Sequence, residues 1–119
     1  MQNAKIYHTL DDIRAMVEQL NPVLPFEAGA ILDFYSERTL NAAEQVQVLQ
    51  KEKPSHKEDL TARKTYKLIE ELAQITKVVC LLYHIGFFGT DDMHKFNMAH
   101  AATWDVYNKF KEFDQILCP

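Results

Sequence analysis

Apolar residues recur along most of the chain at alternating spacings of three and four, the period of one face of an α-helix. Ile13, Met16, Val17 and Leu20 form the first such row. Thr9 suits an N-cap before it. Asp11 and Asp12 in the first turn complement the positive end of the helix dipole, so a short helix is expected over about 10–20. Asn21-Pro22 stops it, because Pro22 keeps Asn21 out of the helical region. Pro25 suits the first position of the second helix, where its missing N–H costs nothing. Ala28, Ile31, Tyr35, Ala42, Val46 and Leu49 then hold one face, with Thr39 in the gap. That continuity predicts one helix over about 25–51; a break with Asn41 as a new cap is the alternative. Gly29 is expected to mark a close helix–helix approach, since a helical glycine otherwise costs about 1 kcal/mol against alanine.

Lys51 to Glu58 is a polar linker containing Pro54 and Ser55. The third helix is predicted over about 58–86, with Thr65, Leu68, Leu72, Ile75, Val79 and Leu82 along one seam. Its second half is apolar nearly all round, as expected of a helix that ends inside a bundle. Gly86 and Gly89 end it. Thr90 suits an N-cap ahead of Asp91 and Asp92, and a fourth helix follows over about 91–116. Ala99, Thr103, Val106, Phe110, Phe113 and Leu117 form its seam, and Phe96, His100, Trp104 and Tyr107 form a second row beside it. No strand pattern or internal repeat competes. The fold class is therefore all-α: an antiparallel bundle of about four helices, one short and three long, in a single domain over 1–119. At 1.5 Å per residue the long helices reach about 40 Å. One short helix leaves apolar surface uncovered on three long ones, and the wide apolar arc of the fourth says the same, so a homodimer or higher oligomer is expected.

The composition fits this picture. Of 119 residues, 47% are hydrophobic and 25% charged, as in ordinary globular domains, and 3 Gly with 4 Pro leave little turn punctuation. A net charge of -4 argues against nucleic-acid binding. Lys51, Lys53, Lys57, Arg63, Lys64 and Lys67 form a local basic island, a solvated stretch or a site for phosphate or an acidic partner. Cys80 and Cys118 have no metal or redox spacing; Cys80 is expected as a small buried residue and Cys118 as exposed, usage that suits a reducing cytoplasm. Residues 1–8 look like a ragged lead-in without an apolar h-region, so no secretory signal is expected. The apolar run Val78 to Phe88 is far short of the roughly 20 residues of a membrane span.

Candidate chemistry is sparse. Asp33, Glu37 and Glu44 share a face of the second helix, and Glu71 flanks the seam of the third. Carboxylates from two facing helices can hold a hard divalent cation, which then organises a phosphate chain and a water; the competing reading is a wet charged face. His8, His56, His84, His94 and His100 include no pair at three- or four-residue spacing, so no helical metal site is expected among them. His84 in the apolar run is expected as a hydrogen-bonded core histidine. Phe96, His100, Trp104 and Tyr107 suit a ligand pocket for a flat ring, a dimer interface or plain core. Nothing supports nucleophilic catalysis or a glycine-rich phosphate loop, and no catalytic residue is assigned.

Glu70-Glu71-Leu-Ala-Gln74, an apolar run, His84-Ile-Gly86 and a new helix opened by Thr90-Asp-Asp together resemble the second half of the MazG-like all-α nucleotide pyrophosphohydrolases. The resemblance spans roughly residues 35–110 and is mostly hydrophobic pattern. It implies magnesium held by Glu71 with Glu37 and Glu44 from the preceding helix, hydrolysis of nucleoside triphosphates to monophosphate and pyrophosphate, and oligomerisation through helical bundles. Gln74 stands where that family has Asp. Three function classes follow: a helical interaction module with a protein partner, which makes no demand on Glu71; a magnesium-dependent hydrolase or an inactive nucleotide-binding relative, which demands that the three glutamates converge; and a ligand-binding bundle, which demands that Phe96, His100 and Trp104 face an empty volume.

Overall fold

The computed structural model describes residues 9–117, the side chains of 116 and 117 excepted. The expectations for residues 1–8, Cys118 and the Leu117 side chain lie outside the described residues. Four helices follow one another: α1 (Leu10–Glu18), α2 (Ala28–Glu52), α3 (Leu60–His84) and α4 (Thr90–Leu117). The described residues include no strand.

Local chemistry sets the ends. At α1 the Asp12 N–H donates to Thr9 Oγ1 (3.1 Å) and the Thr9 N–H donates to Asp12 Oδ2 (3.0 Å), a reciprocal capping box. Pro25 does not open α2. The helix starts three residues later, with Glu27 as its extended N-cap. Phe26 explains the delay: its ring packs 5.4 Å from Phe87 and the Arg14 guanidinium lies 4.5 Å over it, which holds the chain extended between α1 and α2. α2 then runs unbroken through Asn41, which is exposed and caps nothing. Lys53 in the left-handed conformation ends it, its N–H bonded to Leu49 O at 2.9 Å. Asp59 caps α3 by accepting the Thr61 N–H at 2.9 Å. At the other end Gly86 has φ 75°, with Gly86 N–H to Tyr83 O (3.1 Å) and Phe87 N–H to Leu82 O (3.0 Å), the two bonds of a Schellman motif. Gly29 marks no close approach: a Cβ there would meet nothing within 4 Å.

α2 is the hub. It packs along both α3 and α4, and α1 covers part of α3. Arg38–Glu71 and Gln45–Thr61 pair α2 with α3 in opposite senses. Asp33–Lys95 and Thr39–Thr103 pair α2 with α4 in the same sense. Successive long helices are therefore antiparallel, as expected, and α2 and α4 are parallel neighbours. The offset of 64 residues at Thr39–Thr103 also sets Tyr35 level with Ala99, Ala42 with Val106, Val46 with Phe110 and Leu49 with Phe113, all buried. Both rows step by four and three, the heptad spacing of a left-handed coiled coil. α3 and α4 meet through long side chains instead: Tyr66 on Phe110 (5.0 Å, 85°), Tyr83 on Phe96 (4.7 Å, 3°), and the Tyr66 hydroxyl donating to Asp114. The molecule is correspondingly flat, 45 × 37 × 22 Å. No helix of the described residues is long and apolar enough to cross a membrane.

Candidate interaction surface

The expected carboxylates do not gather. Glu37 and Glu44 are exposed on the outer side of α2. Glu71 is partly covered, as its place beside the seam suggested, but Arg38 Nη1 lies 3.2 Å from its Oε1. The same guanidinium stacks 4.7 Å over Phe34 and leaves its buried Nε without a partner. Asp33 pairs with Lys95 at 3.0 Å. Among the described residues no group of three or more His, Cys, Asp or Glu side chains is placed to hold a metal ion. With the glutamates apart and a cation already on Glu71, these residues do not fit a magnesium centre in this conformation.

His84 is not a core histidine; it is exposed, with Tyr83 beside it at 5.6 Å between ring centres. At helical spacing His84 shares the face of Ala73 and Lys77, both exposed, so it points away from the bundle, while Leu82 in the same turn is fully buried. The basic island Lys51, Lys53, Lys57, Arg63, Lys64 and Lys67 is exposed throughout.

A polar layer crosses the middle of the bundle instead. Thr39 and Thr103 are buried with their hydroxyls 2.9 Å apart, and each also lies 2.8 Å from the carbonyl four residues back, Tyr35 O and Ala99 O. Two protons serve three contacts, so one threonine donates to the other and the second donates to its own helix. On α3 the Thr76 hydroxyl lies 2.7 Å from Leu72 O and 3.0 Å from the Tyr107 hydroxyl. Burial pushes the Tyr35 and Tyr107 phenols up, with hydrogen bonds to Thr103 and Thr76 opposing at Tyr35 and to Thr76 at Tyr107. Cys80 is half-buried rather than buried, and desolvation raises its thiol too, which keeps it a poor nucleophile.

The second row of α4 does come together. Phe96 is buried and stacks on His100 (5.2 Å, 12°); His100 meets Trp104 edge-on (6.1 Å, 86°); Trp104 meets Tyr107 edge-on (6.0 Å, 89°). The ladder continues through Tyr83 and Phe88 onto Phe87 and Phe26. Sequence reasoning missed Tyr83. Its signal was the seven-residue spacing from Thr76, which places both on the side of α3 that faces α4. Trp104 Nε1 donates to His100 Nε2 at 3.0 Å. A neutral His100 therefore carries its proton on Nδ1, which lies 3.5 Å from the Tyr35 hydroxyl. Buried at Phe96, the ladder reaches the surface on either side of it: Trp104 is 55% exposed and Tyr83 42%. Cavities lie elsewhere: one of about 420 Å³ is lined by Gln50, Lys53, Pro54, Ser55, Lys109, Glu112 and Phe113, and one of about 300 Å³ lies between α2 and α4 beside Leu40 and Met98. No ring pocket opens at Phe96, His100, Trp104 and Tyr107, which pack on one another.

Compared with protein-family models, with curated proteins and with solved structures, the chain matches none significantly.

Proposed function

We propose that this chain is a helical-bundle interaction module that associates with a second copy of itself through the α3–α4 face centred on Trp104. The observation that carries the reading is the state of that residue: the single tryptophan of the chain stands more than half exposed, yet its indole is held by His100 and Tyr107. A large, rigid, pre-positioned aromatic is the usual anchor of a protein interface, because it buries much area and loses little side-chain entropy on docking.

The test is sedimentation of wild type against Trp104→Glu. The expected result is a concentration-dependent dimer for wild type and a monomer for the variant, with equal helicity by circular dichroism. A wild-type chain that stays monomeric at all concentrations would overturn the self-association. The second reading, a MazG-like magnesium-dependent hydrolase or an inactive nucleotide-binding relative, draws support from the partial burial of Glu71 between α2 and α3. It needs the Arg38 pair to open. Magnesium binding by calorimetry, present in wild type with a nucleoside triphosphate and lost in Glu71→Ala, would favour it over the first.

A further inference from the structure

We infer that His100 is a proton-sensitive latch that sets the position of Trp104 on the docking face. The inference deepens the proposed function but rests on its own geometry. His100 sits half-buried between Phe96, stacked on one side, and the Trp104 edge. Its Nε2 lone pair is the acceptor of the indole N–H at 3.0 Å. That lone pair is also where a second proton goes, because Nδ1 already carries the first. A proton on Nε2 sets two N–H groups against each other, and the indole must leave. Being more than half exposed, it is free to do so, and it then loses the edge contact with Tyr107.

The surroundings do not oppose this. From α2 the titratable group facing His100 is Tyr35, through its hydroxyl. From α3 the titratable groups on this side are Cys80, Tyr83 and the neighbouring His84, and on α4 itself Tyr107 follows two turns beyond. None of these is a carboxylate that would hold an imidazolium in place. The ion pairs nearby, Arg38–Glu71, Lys95–Asp33 and Lys109–Asp105, join other residues.

The single tryptophan makes the latch directly readable. Its emission and its indole N–H resonance are followed from about pH 8 to about pH 5, where imidazoles ionise, in wild type and in His100→Gln, whose amide oxygen keeps an acceptor that does not titrate. The expected result is one step in both signals for wild type and a flat profile for the variant. Over the same range wild-type self-association weakens about fivefold, the worth of one such hydrogen bond, and that of the variant does not. A step that persists in His100→Gln, or a wild-type indole resonance that does not move, would overturn the latch. A monomeric chain would sink the self-association alone, since the indole step is equally visible in a monomer.

Discussion

At the scale of single residues, the Thr39–Thr103 layer shows how polar groups survive in this core. Each hydroxyl has a fallback in the carbonyl one turn back, so neither is orphaned when the other is removed. Thr103→Val should therefore cost only about 1 kcal/mol, the net value of one hydrogen bond, rather than the larger penalty of a stranded donor. Adding Thr39→Val should cost less than a second independent loss, because the shared contact is already gone. Urea melts of the two single variants and the double variant check this; strict additivity would contradict the shared layer. The threonines were legible as seam positions, since the helical period placed them among buried neighbours. Their mutual bond was not, because it depends on the parallel register of α2 and α4, which no local pattern encodes. The opposite failure occurred at His84. An apolar run promised it cover, but His84 falls on the outward face of α3 with Ala73 and Lys77, where side chains stay exposed.

At the scale of elements, the two glycines Gly29 and Gly86 have opposite roles. Gly86 ends α3 at φ 75°, a conformation that costs an L side chain about 1 kcal/mol or more even though a Cβ there would meet no neighbour. Gly29 sits in the first turn of α2, also with nothing within 4 Å of a Cβ. Gly86→Ala should thus lower stability by about 1 kcal/mol, and Gly29→Ala should raise it by up to about 1 kcal/mol through helix propensity and a less flexible unfolded chain. Thermal melts of the pair check both signs. Helix number and type were legible because four amphipathic rows with caps and breakers agree with one another. The start of α2 was not, because Pro25 is locally a good opening residue. The Phe26–Phe87 contact that overrides it joins residues far apart in sequence.

At the scale of the whole molecule, α2 as hub and the aromatic bridge between α3 and α4 decide how the fold responds to base. Tyr35 and Tyr107 sit where the three long helices meet, and burial raises both phenols above the ordinary value of 10.0. In the unfolded chain they lose their protons near that value; in the folded chain they keep them longer. The contribution of these two phenols to stability is therefore unchanged below about pH 10 and is lost as the pH climbs from there through their folded-state values. Tyr107→Phe separates this effect from simple loss of packing. At about pH 8 the variant should be less stable than wild type by about 1 kcal/mol, since Thr76 loses its hydroxyl partner. At about pH 11 the deficit should shrink, because the variant has one fewer proton to lose on unfolding. Urea unfolding at both values measures the difference directly. A deficit unchanged by pH would mean that the Tyr107 phenol is as well solvated in the fold as out of it, and that the α3–α4 seam is open to water down to the polar layer. A shrinking deficit would mean that the aromatic bridge seals this layer, leaving Trp104 above it as the outward-facing rung of the ladder.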